Sequence, residues 1–340
     1  MAVDGDDIPA ERAEKFLRKP ALTNLLTAQA AEMSGDTRKA QEVYKRLLAD
    51  DRTRFVGVRG LMKQKLAEGD TETARSLAEK AFLMKPSNRD VQDTLFDLQS
   101  SAGDWSGARK VLGVKLRQGH LPRDVHRRRD AILALQEARA VISDDLPIEA
   151  REAAIVANKQ SPDLIPAAVM AAHGYMAAGK PRNAARILKK AWGVQPHPDL
   201  AAAFAALEPS ETPAARLKRF DQLFSLRPDD EETKLLKAEI NLAAEDFPAA
   251  RRALGDLVDS HPTTRALTIM AAIERGEGGD DAVVRAWLTK ALSASRGPEW
   301  VCDKCQHINA VWSPVCDSCG GFDTLSWREP LHGATASTST

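Results

Sequence analysis

One short phrase sets what this chain can fold into. Gly35-Asp36 returns as Gly69-Asp70 and again as Gly103-Asp104, each step 34 residues long. A small residue follows at a fixed offset, as Ala40, Ala74 and Ala108, so the register holds through the turn and into the segment after it. An interval kept this strictly is the signature of a repeat array, in which each unit buries its apolar face against the next. The first unit reads as a helix over 23–34, a Gly-led turn and a second helix over 37–48. Glycine suits the turn because helices often end on a left-handed residue, which Gly adopts at little steric cost. The alanines fall where the second helix crosses its partner, and Tyr44, Leu47, Leu77 and Leu112 fill the space beside them. Pro86, Pro162, Pro196, Pro228 and Pro262 stand where second helices should stop, since proline disfavours helix continuation.

A 34-residue period with two helices per unit resembles the tetratricopeptide (TPR) arrays, which implies an all-α fold, a TPR-like α-α superhelix (solenoid). Apolar residues at 43% with only 5% aromatics agree with an Ala- and Leu-rich helical core. Residues 1–20 read as the remnant of a preceding repeat, 21–296 as TPR-like repeats, 297–330 as a four-cysteine module and 331–340 as a disordered tail. The period breaks once: Ala108 to Ala150 is 42 residues, and the excess predicts an irregular stretch at about 113–130. That stretch holds the basic run His126-Arg127-Arg128-Arg129, which suits either an acidic or phosphate-bearing partner or a solvated helix face. Beyond it the pattern predicts helices over 132–140, 148–158, 167–178, 183–194, 201–207, 214–226, 234–244, 249–259, 265–273 and 281–294.

Lys+Arg and Asp+Glu both number 48, which gives no overall bias toward DNA, RNA or an anionic membrane. No apolar run approaches the roughly 20 residues of a membrane helix, and the first 16 residues lack the apolar core of a signal peptide, so the chain as written reads as cytoplasmic. No catalytic constellation is present: no Ser-His-Asp order with a supporting motif, no phosphate-binding Gly loop and no His-Glu-x-x-His. The chain is therefore expected to be a non-enzymatic adaptor that holds a protein partner in the groove lined by the first helices. Asn24, Arg59, Lys63, Asp97, His173, Lys237 and Asn241 are candidate lining residues. His197 and His261 neighbour inter-repeat prolines and are expected to be exposed loop residues.

The composition changes after Arg296-Gly297-Pro298. Trp300 leads into Cys302-x2-Cys305, and after ten residues comes Cys316-x2-Cys319. Each knuckle presents two thiolates from a tight turn, and four sulfurs complete a closed tetrahedral shell at about 2.3 Å, which points to a structural metal. Zn2+ leads; iron in a rubredoxin-like site is the runner-up, because Gln306 and His307 follow the first knuckle where rubredoxins favour glycine. A disulfide pair is the third reading. Trp300, Trp312, Phe322, Leu325 and Trp327 should pack around the knuckles or dock them on the last helices.

The repeats, followed by a four-cysteine module ending in Phe322-Asp323-Thr324-Leu325-Ser326-Trp327-Arg328-Glu329-Pro330, resemble the HemY-like TPR proteins of alphaproteobacteria. That resemblance implies a role associated with haem biosynthesis at the cytoplasmic face of the inner membrane, reached through a partner or through an N-terminal anchor this sequence lacks. The architecture is also similar to the LapB type of inner-membrane adaptor, which would imply control of lipopolysaccharide synthesis, and only the metal role of the four cysteines carries over from it. Locally, Trp300-x-Cys302-x2-Cys305-x3-Asn309-x6-Cys316-x2-Cys319 resembles the Ran-binding-protein-type zinc finger, which implies a structural hydrogen bond for Asn309 in the turn. RNA binding through that finger ranks below protein binding, since Lys304 and Arg328 are almost its only cations. A redox or tetrapyrrole-binding component, using the four-cysteine site or a histidine, is a further alternative.

Overall fold

The computed structural model describes residues 20–140 and 148–331. All but one residue of the expected N-terminal remnant, and all but one of the expected tail, lie outside that range. The chain divides into two compact units, residues 1–126 and 127–340.

Among its described residues the first unit carries three helical hairpins: α1 (Pro20–Met33) with α2 (Thr37–Leu47), α3 (Arg54–Ala67) with α4 (Thr71–Met84), and α5 (Arg89–Ser101) with α6 (Trp105–Arg117). Each helix packs on the next in sequence order. The repeated dipeptide has two physical roles. Gly35, Gly69 and Gly103 take φ values of 75°, 76° and 74°, the left-handed region that lets the first helix end abruptly. The aspartate then caps the second helix: Asp36, Asp70 and Asp104 each accept the backbone N–H three residues on, at 2.9, 3.1 and 2.9 Å. Ala40, Ala74 and Ala108 are fully buried at the helix crossings.

The second unit opens within α7 (Arg123–Ala140), and its described part continues with α8 (Ile148–Gln160), α9 (Ile165–Ala177), α10 (Pro181–Val194), α11 (Pro198–Ala205), α12 (Pro213–Phe224), α13 (Glu231–Ala243), α14 (Phe247–Leu254), α15 (Leu257–Ser260), α16 (Thr264–Gly276) and α17 (Asp281–Leu292). Here first helices pack on first helices, α9 on α11 and α13 on α16, while α10 packs on α12. That pairing is what a stack of hairpins requires.

At 113–130, where a break in the repeats is expected, α6 runs to Arg117 and α7 starts at Arg123 after a short link, and part of the extra length makes α7 an 18-residue helix. One expectation needs correcting. The helix expected over 249–259 is two: Gly255, at φ 60° and ψ −132°, ends α14 and a single turn, α15, follows. A bound on regularity is visible at the turns as well. Glu245 occupies the left-handed position, φ 59°, that Gly35, Gly69, Gly103, Gly179 and Gly278 hold in their hairpins, and Lys180 stands where Asp36, Asp70, Asp104, Asp246 and Asp280 cap theirs, with no side-chain cap.

The chain ends in a three-stranded antiparallel sheet of order β2-β1-β3, with β1 (Glu299–Cys302), β2 (Ile308–Asn309) and β3 (Leu325–Arg328). Register pairs Trp300 with Asn309 on one side and with Trp327 on the other.

Candidate metal centre

The sheet and two turns bring the four cysteines together. Their sulfurs all lie within 4.8 Å of one another, and the closest pairs, Cys302 with Cys319 and Cys305 with Cys316, are each 3.7 Å apart. A tetrahedral ion with bonds of about 2.3 Å to sulfur needs sulfurs roughly 3.8 Å apart, so the donor set fits a closed four-thiolate metal site. All four thiols are free.

The two knuckles share one backbone device. The residue after the second cysteine of each is left-handed, Gln306 at φ 61° and Gly320 at φ 65°. Gln306 is held there from its side chain: Nε2 donates to Asp303 O at 3.2 Å and Oε1 accepts from Arg328 at 2.8 Å. Gln306 therefore adopts the conformation a glycine would take, and its identity does not separate zinc from iron. Asn309, 2% exposed, ties the knuckles together, its amide reaching His307 O and Cys316 Sγ while its carbonyl accepts the Asp317 N–H at 3.2 Å.

The electrostatics ask for a cation. Burial disfavours a thiolate at Cys302, but the Thr324 hydroxyl and the N–H groups of Cys305 and Lys304 outweigh it and hold Cys302 down to about 6. Cys319 goes the other way: burial and its three sulfur neighbours push it up to about 12. Four thiolates cannot share this volume without a positive charge between them, which a bound metal ion would supply.

The module does not sit on the last helices. It turns back along the edge of the second unit formed by the links that precede its first helices. Trp300, Cys302, Cys316 and Leu325 join one apolar core with residues of α9 to α13, and Trp312 and Trp327 pack against it. His197, at the α10–α11 link, is 2% exposed and lies against both Trp300 and Trp327, with ring centroids 5.3 and 4.3 Å away. It is therefore a core residue, contrary to its expected place in an exposed loop. Its Nδ1 accepts the Asp199 N–H, and burial pulls the ring down to about 4, so it is neutral. Beside it Gln195 donates to Trp327 O at 3.0 Å.

Arg128, from the basic run, clamps the module further along. It donates to both oxygens of Asp323 at 2.9 and 3.1 Å and to Asp163 at 2.6 Å. The Asp323 carboxylate is only 8% exposed, and burial works against its charge while Arg128 supports it. This residue of the run serves neither a partner nor a solvated face. At the far end His261 lies between Glu231, 2.7 Å from Nδ1, and Glu329, 2.9 Å from Nε2, and Thr264 N donates to Ser295 O at 2.7 Å. The starts of α7, α9, α11 and α16 thus touch the module or its flanks, and Glu231 at the start of α13 is linked to it through His261. Nothing in the sequence marks His197, Gln195, Arg128 or His261 as anchors, because each contact spans a long stretch of chain.

Among the groove candidates, Lys63, Asp97, His173 and Lys237 are exposed, Asn24 is half-buried, and Arg59 pairs with Asp90 at 3.4 Å. Asn241 is 2% exposed and bonds Lys237 O within its own helix at 2.7 Å. Phe322 is buried in the module. No helix among the described residues is long and apolar enough to cross a membrane.

No protein-family profile matches the chain, and no curated protein matches it. Solved structures do: a tetratricopeptide repeat protein from Parabacteroides merdae at 15% identity, covering 74% of this chain and 99% of that one, with a TM-score of 0.33. The TPR2AB domain of yeast Sti1 in complex with pHSP90 matches at 15% identity over 80% of this chain and 98% of that one, TM-score 0.33. Naa15/Naa10 bound to HypK-THB gives 14% identity, 84% and 60% coverage, and a TM-score of 0.38. Likeness at this level carries no argument, and the fold rests on the helical order itself.

Proposed function

We propose that this protein is a non-enzymatic scaffold that holds a protein partner on its first-helix side, with a four-thiolate metal module that fixes the second unit in its binding shape. The observation that carries the reading is the anchoring of the module: its contacts run along the starts of α7, α9, α11 and α16, while His173 and Lys237 on first helices are exposed. A module used for chemistry would present an open metal position or a reactive group. Here four sulfurs close the shell, two of them on buried cysteines, so the metal is structural, and zinc is the ion we assign. The residues that would hold it are Cys302, Cys305, Cys316 and Cys319. What the ion supplies is charge balance and a fixed geometry for the two turns.

The resemblance of residues 322–330 to HemY-like proteins makes haem biosynthesis the first pathway to test. The test is site-specific photo-crosslinking in cells. Crosslinkers at His173 and Lys237 should give one discrete protein adduct, crosslinkers at Arg182 and Arg285 on second helices should not, and Cys316→Ser should abolish it. Equal labelling from both faces, or none from the first, would overturn the scaffold reading. Metal analysis giving one iron with a thiolate charge-transfer band would replace zinc.

A further inference from the structure

The second unit contains a cavity lined by none of the four cysteines. It arises because α11 is only 8 residues long, against 13 in α9, α13 and α16, and because α12 does not begin until Pro213. About 370 Å³ opens between these elements. That lies within the usual range for a small-ligand pocket. Its apolar wall is made by Ala201, Ala202 and Ala205 of α11 with Phe220, Leu236 and Ile240. Alanines where a repeat helix could carry leucine leave the room unfilled.

The polar wall is unbalanced. Arg265 is gripped by two carboxylates, donating to Glu232 at 2.6 Å and to Glu239 at 2.7 and 2.8 Å, so this cluster carries one net negative charge. Glu232 lines the cavity with its side chain 13% exposed, and its Oε1 has no hydrogen-bond partner. A buried carboxylate oxygen left unpaired costs free energy that a donor would recover. The opposite carboxylate, Glu211, already accepts from Arg216 and Arg219, and Arg219 is spent on Phe204 O and on the Phe204 and Phe220 rings. The unmet demand is therefore at Glu232.

We infer that this cavity receives an apolar side chain carried next to a cationic N–H donor, an ammonium or guanidinium, on the partner. The inference rests on the scaffold reading, since α11, α13 and α16 are first helices, and it names the chemistry the first-helix side selects. An acidic partner segment would place a carboxylate against Glu232 and is disfavoured, as is an apolar segment without a donor. The walls bind and exclude water; Glu232 sets the sign of charge accepted.

The probe is 4-phenylbutylamine, compared with 4-phenylbutyrate of the same body, titrated into the full metal-loaded chain and followed by NMR of alanine methyl groups. The amine should shift Ala201, Ala202 and Ala205 saturably and bind at least about tenfold more tightly than the acid. Glu232→Gln should shrink that preference to within about threefold, and Ala202→Trp, at an exposed position that tolerates bulk, should abolish binding. Equal binding of acid and amine, or amine binding unchanged in Ala202→Trp, overturns the inference. The partner crosslink from His173 separates the two readings. If it survives in Ala202→Trp, the cavity assignment fails and the scaffold stands; if the amine binds but no partner is ever captured on the first-helix face, the scaffold reading fails and the cavity remains a small-amine site.

Discussion

The two units solve the same problem at the same place in different ways. In each, the links that precede the first helices form an edge where backbone groups must find partners. In the first unit that edge is held by neighbours: Gln92 donates to Pro86 O and Gln118 Oε1, both at 2.6 Å, and its carbonyl meets His120 at 2.8 Å, contacts that span 6, 26 and 28 residues. In the second unit the ties come from the chain's far end, Gln195 to Trp327 across 132 residues and Arg128 to Asp323 across 195. A stack held by neighbours has a stability that sums unit by unit. A stack held by a distant strap has one that depends on whether the strap is formed, and under the metal assignment proposed above the strap's folding is tied to its ion. On that proposal the second unit should respond to metal removal, and the first unit's described residues should not.

The largest effect that follows is metal removal. Structural zinc in small modules contributes about 10–16 kcal/mol of apparent binding free energy, so its loss should unfold residues 299–328 and release the helix edge they cover. Hydrogen exchange with chelator, or in Cys316→Ser, should show protection collapsing in the module and at residues 161–165, 195–198 and 261–264, with residues 37–117 unaffected. Equal loss in both units would remove the contrast between them.

Acid should act on the same contrast. His197 is neutral when folded because burial holds it near 4, while an unfolded histidine titrates near 6.5. Between those values the unfolded state binds the proton and the folded state does not, so this stabilisation is complete above about pH 6.5 and falls by about 3 kcal/mol as pH drops toward 4. His261 has the opposite sign: its hydrogen bond to Glu231 raises it, so its contribution is present below about pH 6.5 and fades as pH climbs through its folded value. Denaturant unfolding of the second unit at pH 5 and pH 7 should show the acid loss in the wild type, and His197→Phe should flatten it. An unchanged slope in that variant would mean another group carries it.

How much of this was legible depends on sequence distance. The hairpins were readable because Gly35-Asp36 and its copies act within four residues, and the cysteine spacing was readable because each knuckle is a single turn. What the sequence did not show were contacts closed by the fold: a histidine beside a proline became core because two tryptophans from two strands 100 or more residues later cover it. Arg128 sat in a basic run whose sign said nothing of Asp323. The pocket was not foreshadowed, since a first helix shortened from 13 residues to 8 leaves no motif.

A smaller effect tests packing that the units share. A methyl on Gly60 would lie 2.3 Å from the Tyr44 ring, and one on Gly276 would lie 2.1 Å from Phe247. Alanine at either site should cost roughly 1–3 kcal/mol by overpacking. The loss should be the same with and without metal at Gly60, in the unit that carries no strap among its described residues, and a Tyr44→Leu background should recover most of it. Full cost in that background would place the clash elsewhere.

The smallest predicted effect compares turns across the units with packing removed. Gly69 is left-handed and has no heavy atom within 4 Å of where a Cβ would sit, so Gly69→Ala isolates the backbone cost of a side chain at that φ. Glu245 already pays that cost at φ 59° in the corresponding turn of the second unit. The two substitutions Gly69→Ala and Glu245→Gly should therefore have opposite signs and similar size, about 1 kcal/mol each. Both turns are followed by a capping aspartate, Asp70 and Asp246, which accept backbone N–H groups at 3.1 and 3.0 Å, so capping cancels in the comparison. Midpoints from denaturant titration at fixed metal measure the pair, and a Glu245→Gly variant less stable than wild type would show that the Glu245 side chain contributes more than its backbone strain costs.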